Sequence, residues 1–230
     1  MLKAITAVSK IIYDKFYDYG SYYINYEIDM DNEDESSDTE DKEYFDILNL
    51  PYDYGMTRLY PEPSYYELYS AFFSEPTHII DNIWLGSSYN AASYGALVDR
   101  DIKLIINVSK EITHYFPNDF TYIRYDIYDN NKQSITDYLE KSYNDIIYHQ
   151  HNKNGNIFVH CYMGRSRSVS ILLYYIMKSK KHDNGSNYTF RDALNYIKSK
   201  RPIINPTVKF TRDLIKNIEY KNQTDNSNKV

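Results

Sequence analysis

Apolar positions recur along this chain with two different periods, and the switches between them mark out its elements. Ile157, Phe158 and Val159 form a continuous apolar run behind a Gly155-Asn156 turn signal, which predicts a buried strand ending at His160. From Ser166 to Met177 the period changes: Val169, Leu172, Leu173, Ile176 and Met177 fall at helical spacing, opened by serines that suit an N-cap. The same reading predicts a strand pair over 78–85, a helix over 90–100 and strands over 103–108, 121–127 and 156–160. It adds helices over 135–150, 167–180, 189–199 and 206–220, with Pro206 in a first helical turn where its fixed φ fits. Strands alternating with helices imply an α/β fold, a mostly parallel sheet covered on both faces. Such sheets take their ligands at the carboxyl ends of the strands.

Ahead of this region the pattern is different. Leu2, Ile5, Val8, Ile12 and Phe16 recur at helical spacing with Lys3, Lys10 and Lys15 off the stripe, which predicts an amphipathic helix over about 2–19 that docks on the rest of the protein. Glu27 to Asp46 is almost continuously acidic, the composition of a solvated, mobile linker. Residues 1–75 carry 5 basic and 17 acidic side chains, net −12, whereas residues 76–230 carry 21 and 15, net +6. The expected division is an acidic, tyrosine-rich extension over 1–75, a folded domain over 76–221 and a flexible tail over 222–230. A mildly basic domain suits phosphorylated substrates, and an extension of opposite sign could compete for its site. Nothing in the chain has the length and apolarity of a bilayer span, so no stable membrane insertion is expected, nor binding to nucleic acid. Trp84 reads as core. His149 and His151 lack a third ligand at metal-binding spacing, and one cysteine in 230 residues makes a zinc cluster implausible, so no metal or other cofactor is expected.

That cysteine stands in the most informative segment, Val159-His160-Cys161-Tyr162-Met163-Gly164-Arg165-Ser166-Arg167-Ser168. Strand, tight loop and helix in succession turn backbone N–H groups and the positive end of a helix toward one point, where a thiolate or a phosphoryl group is stabilised. Gly164 lets the loop bend where a Cβ would crowd it. Arg167 offers a planar fork for two phosphate oxygens, and Ser168 can donate to the sulfur and ease its departure. His160 is expected to hold the loop through its ring nitrogens and to favour the thiolate. A lone cysteine is more often a small buried hydrophobe than a nucleophile, but five positions here converge on one tetrahedral dianion.

The spacing His-Cys, two residues, Gly, two residues, Arg-Ser resembles the dual-specificity branch of the cysteine-based protein tyrosine phosphatase superfamily. The resemblance extends over about residues 77–220, through Ile80-Asp81-Asn82-Ile83-Trp84-Leu85-Gly86-Ser87, Ile102-Lys103-Leu104-Ile105-Ile106-Asn107-Val108 and Arg201-Pro202-Ile203-Ile204-Asn205-Pro206. Thr207 departs from the asparagine usual after that second proline. The resemblance implies a protein tyrosine phosphatase-like fold with a central sheet of about five strands. It also implies a general acid some thirty residues before the cysteine, for which Asp126, Asp129 and Asp137 are the candidates. Asp129 fits best: it follows the alternating run Tyr122 to Tyr128, precedes a turn at Asn130-Asn131 and lies 32 residues ahead of Cys161.

The implied activity is hydrolysis of phosphotyrosine and phosphoserine/threonine in phosphorylated protein substrates through a cysteinyl phosphate. Cys161, Arg167, Asp129, Ser168 and His160 would be catalytic, and Tyr162, Met163, Gly164, Arg165 and Ser166 would bind substrate. A thiolate enzyme needs a reducing, intracellular setting, cytoplasmic or nuclear. Two alternatives remain open at this point. Arg165 would suit a phosphoinositide or another non-protein phosphomonoester, and a module that binds phosphoproteins without hydrolysing them would use the same loop.

Overall fold

The computed structural model describes residues 58–130, 132–152 and 155–227, with side chains through 218. The helix expected over 2–19 and the acidic run over 27–46 lie outside the described residues. Five strands form one sheet: β1 (Thr77–Ile80), β2 (Ile83–Gly86), β3 (Ile102–Asn107), β4 (Thr121–Arg124) and β5 (Asn156–His160). Their order is β1-β2-β5-β3-β4, with β1 antiparallel to β2 and every other pair parallel. The segment read as a buried strand is thus the central one, flanked on each side by a parallel neighbour.

Period-two alternation sorts its side chains between two layers. Ile157 and Val159 of β5 join Leu104 and Ile106 of β3 on one face. Phe158 joins Ile105 and Ile102 on the other. The first face is covered by four helices: α4 (Thr136–Asn152), α5 (Arg167–Ser179), α6 (Phe190–Lys200) and α7 (Val208–Ser227). The second is covered by the short helices α2 (Ser88–Ala91) and α3 (Tyr94–Asp99), with Phe116, Phe120 and Trp84 packed against it. Trp84 is half-buried under the Arg100 guanidinium, at the edge of this layer and not at its centre.

Helix α5 is buried from Arg167 to Met177 on all sides. Its polar atoms need partners within the protein. Tyr174 donates to Glu140 of α4 at 2.7 Å and Tyr175 donates to Asp81 at 2.8 Å. Burial and these carboxylates raise both phenols, Tyr175 to about 12.

Several details differ from the sequence expectation beyond a residue or two at element ends. The helix expected over 90–100 is two helices: the first starts at Ser88, where Asn90 closes a capping box on Ser87 and its amide donates to the Ser74 carbonyl, and the second starts at Tyr94. β4 stops at Arg124 and not at 127: its partner β3 ends at Asn107, whose carbonyl accepts the last bond from the Tyr125 amide. α7 begins at Val208, so Pro206 precedes the helix; Thr207 caps it, its hydroxyl accepting from the Phe210 amide at 3.2 Å. Ser166 stands at the N-cap of α5 without capping it, its hydroxyl being turned elsewhere.

The described residues upstream of β1, 58–76, pack against the sheet and its loops. Helix α1 (Tyr65–Phe73) opens with a Ser64–Glu67 capping box and buries one face through Phe72, which is 1 % exposed and packs on the Tyr162 ring at 5.5 Å. Among the described residues no helix is long and apolar enough to cross a membrane. Truncating Phe72 to alanine is expected to cost about 3–4 kcal/mol, read as a lowered urea midpoint at unchanged slope, since the cavity would open under the loop wall.

Candidate active site

β5 delivers Cys161 to the carboxyl end of the sheet, and α5 starts six residues later at Arg167. Gly164 sits in the loop between them with φ +66°, and a Cβ there would lie 2.3 Å from the Gly86 carbonyl oxygen. Only glycine fits both constraints. The Ser88 amide donates to the Tyr162 carbonyl at 2.8 Å and the Asn205 amide to the Arg165 carbonyl at 2.8 Å. Tyr162 is buried as part of the loop wall, so its ring meets Phe72; Met163 is half-buried.

Arg201 completes the cradle from the end of α6. Its Nε donates to the Gly164 carbonyl at 2.9 Å and Nη2 to the Met163 carbonyl at 3.1 Å, while Nη1 reaches Ser74 and Thr77. Burial lowers its proton affinity to about 10, opposed in part by the Cys161 sulfur. It remains a cation at neutral pH and ties the loop carbonyls, which frees the loop amides to point the other way.

The Cys161 sulfur is 1 % exposed and accepts from Ser168 Oγ at 3.2 Å. Arg167 is equally buried. Its Nη1 and Nη2 grip both oxygens of Glu111, each at 2.7 Å, and Nη1 also donates to the Ile127 carbonyl. Burial pulls its proton affinity down, but Cys161, Asp129 and Glu111 together outweigh that and raise it. Its Nε, also buried, has no hydrogen-bond partner among the described residues. Glu111 is presented by the turn after β3, where Asn107 donates to the Ile112 carbonyl at 2.7 Å and accepts from Ser109 at 2.6 Å.

His160 points into the second layer, stacked on Phe158, with Nδ1 3.2 Å from the Cys161 carbonyl. An Nδ1–H tautomer satisfies that carbonyl. Burial lowers its proton affinity to about 4, reinforced by His114 and Arg167, so the ring is neutral at pH 7. The ring thus meets the loop through the Cys161 carbonyl and, being neutral, brings no positive charge to the sulfur.

Asp129 lies in the same pocket, its side chain 7 % exposed. Ser166 Oγ donates to one oxygen at 2.6 Å and Arg58 Nη2 to the other at 3.2 Å. Burial would raise this carboxyl, yet the charges of Arg58 and Arg167 and the two hydrogen bonds hold it at about 2. Asp126 is exposed and pairs with Arg124, and Asp137 occupies the first turn of α4. Of the three candidates only Asp129 is therefore brought to the loop. Arg165 is buried and donates through Nη1 to Glu62 at 2.7 Å; its Nε and Nη2 have no partner among the described residues.

Sequence reasoning missed five contributors: Arg58, Glu62, Glu111, Arg201 and Asn205. The signal available for Arg58 was slight but real, for it is the only lysine or arginine between residues 43 and 99. A cleft of about 720 Å³ between residues 60–77 and 198–205 touches Arg201 from outside and includes none of Cys161, Arg167 and Asp129.

The neutral His160 makes a testable difference. Below about pH 6.5 the unfolded chain protonates this ring while the folded chain does not, so stability falls as pH drops through the window from 6.5 to 4. The parent is expected to lose about 2 kcal/mol more than a His160→Asn variant between pH 7 and pH 5, read from urea midpoints.

Comparison with known proteins bears on this arrangement. Residues 83–222 match the family described as dual specificity phosphatase, catalytic domain. Protein phosphatase Slingshot of Drosophila melanogaster is 32 % identical over 139 residues, covering 60 % of this chain and 13 % of that protein. Dual specificity protein phosphatase 1 of Arabidopsis thaliana is 31 % identical over 151 residues, covering 64 % of this chain and 73 % of that one. The chain thus spans a small part of Slingshot and most of the plant protein. Among solved structures, human DUSP28 superposes with a TM-score of 0.58 at 22 % identity, over 65 % of this chain and 96 % of that one, a likeness of fold. DUSP15 gives 0.56 at 28 % identity, over 62 % of this chain and 86 % of that one. With the expected phosphatase-like fold found and more than half its residues matched, this chain belongs to the dual-specificity phosphatase catalytic-domain family.

Proposed function

We propose that the protein hydrolyses phosphotyrosine and phosphoserine/threonine in protein substrates through a cysteinyl phosphate. The observation that carries this reading is the convergence of three buried groups, Arg167 lying close enough to feel the charges of both others. They are a sulfur held by Ser168 at 3.2 Å, an Arg167 whose Nε has no partner among the described residues, and the Asp129 carboxylate on Ser166.

In the first step the Cys161 thiolate attacks phosphorus and the ester P–O bond breaks. Arg167 and the loop amides take up the equatorial oxygens, a role in which a planar donor fork strengthens as charge builds. The leaving oxygen needs a proton, and Asp129 supplies it. An incoming dianion assists by engaging Arg167 and placing negative charge beside Asp129, both of which raise the carboxyl's affinity for a proton. In the second step water attacks the phosphocysteine while Asp129 takes its proton, and Ser168 stabilises the departing sulfur. Every charge that develops is met by a side chain already present, so the route calls on no metal.

One observation favours a second reading. Arg165 keeps two buried nitrogens without partners among the described residues, and they could meet another phosphate of a phosphoinositide. Relative turnover of phosphopeptides and phosphoinositides by the same preparation separates these classes. A capture module that leaves its phosphoprotein intact is disfavoured, because Cys161, Arg167 and Asp129 are all present.

Under reducing conditions the protein should turn over p-nitrophenyl phosphate, and Cys161→Ser should abolish that turnover while still binding phosphate. Asp129→Asn should lower kcat about a hundredfold for phenyl phosphate and far less for p-nitrophenyl phosphate, whose leaving group hardly needs a proton. Unchanged turnover in the Cys161 variant would overturn the proposal.

A further inference from the structure

The family match begins at residue 83, yet two side chains of the site arrive from upstream of it. The backbone of residues 58–60 is fastened along residues 205–207. Arg58 makes an antiparallel bridge with Thr207, the Leu59 amide donates to the Pro206 carbonyl at 3.2 Å, and Tyr60 exchanges two bonds with the Asn205 amide side chain. Asn205 is also the residue that holds the Arg165 carbonyl. The upstream strip and the catalytic loop therefore share one support.

On that strip Arg58 is 6 % exposed, and its guanidinium reaches Asp129 through Nη2 at 3.2 Å, the Asn205 carbonyl through Nη1 at 3.0 Å and Glu62 through Nε at 3.1 Å. Glu62 sends its other oxygen to Arg165. We infer that Arg58 is a positioning residue for Asp129: the chain ahead of the family domain clasps the acid–base carboxylate from behind and governs when it carries a proton. The inference rests on the reading of Asp129 as the acid and base of the cysteinyl-phosphate route.

Charged and titratable groups face Asp129 from two sides among the described residues. Arg58 approaches from the upstream strip with Glu62 behind it, and Arg167 approaches from α5 with Glu111 behind it and Cys161 beside it. Substrate engages Arg167, so that cation's hold on Asp129 relaxes during turnover. Arg58 has no such reason to let go, being tied to a backbone carbonyl and to Glu62. Its charge favours the ionised carboxylate throughout. In the first step, where the ester P–O bond breaks, the S–P bond forms and the carboxyl proton passes to the leaving oxygen, Arg58 therefore acts as a restraint. Glu62 moderates it, because a carboxylate on Nε draws part of the guanidinium's field away from Asp129.

Kinetics of the full chain with two esters test this. The quantity measured is kcat/KM for phenyl phosphate, which needs the proton, divided by that for p-nitrophenyl phosphate. Arg58→Gln should raise this quotient about tenfold, the change that one unit of proton affinity supplies, and the Asp129 carboxyl ¹³C resonance should titrate at higher pH. Arg58→Lys keeps the charge and should stay within about twofold of the parent. Asp129→Asn should lower the quotient steeply, and adding Arg58→Gln to it should change nothing more. Should Arg58→Gln fail to fold, Glu62→Gln serves instead. Its side chain is 53 % exposed, and leaving Arg58 unopposed should lower the quotient severalfold. If either folded variant slows both esters equally, Arg58 is only a structural tie and the inference fails. If Asp129→Asn leaves the quotient untouched, the assignment of Asp129 itself is what fails.

Discussion

Of the four buried arginines described around the catalytic loop, three are each met by a carboxylate, while Arg201 is held by carbonyls and hydroxyls alone. The arrangement of the site follows from how these cations are compensated. Arg167 faces Glu111, Arg58 faces Asp129 and Glu62, and Arg165 faces Glu62. All three are at most 6 % exposed. Desolvating a cation to that degree costs several kcal/mol unless charge and hydrogen bonds compensate nearby. Beside these three cations the site therefore lodges anions that an incoming dianion can displace. Glu111, on a turn set by Asn107, and Glu62, half-exposed, are the anions placed where movement is cheap. Asp129 sits deeper, its side chain 7 % exposed, and is the anion proposed to act as acid and base.

Much of this fold was legible from periodicity, because the elements that matter are buried on regular faces. β5 read as a buried strand since Ile157, Phe158 and Val159 each meet a different layer or neighbour, and α5 read as a helix since its apolar spacing is strict. Failures came where a side chain left its local role. Ser166 was expected to cap α5, but its hydroxyl serves Asp129, thirty-seven residues away. Asn90 was read as opening a long helix, whereas it is the third residue of a short one, its side chain shared between a capping box and Ser74.

The site was legible only as far as it is local. Eight consecutive residues from Cys161 to Ser168 carry a motif, and Asp129 could be placed by its offset from that motif. Arg58, Glu111 and Arg201 belong to the pocket through contacts spanning 71, 56 and 37 residues, and such contacts leave no periodic trace in a chain. Charge drew the eye to the net −12 of the extension, whereas the residue from that extension that reaches Asp129 is one of its few cations. His160 stands next to Cys161 in sequence, but its ring lies against Phe158, and that burial, which keeps the ring neutral, is not visible in the sequence.

Because the chain contains a single sulfhydryl and that group is buried beneath the loop, alkylating or fluorogenic maleimide reagents have one place to react. The labelling rate then becomes a clock for how often the loop admits a molecule, and phosphate analogues should stop it by occupancy alone. A protein with a second, exposed thiol would blur that record; here it comes without any need to engineer the background away.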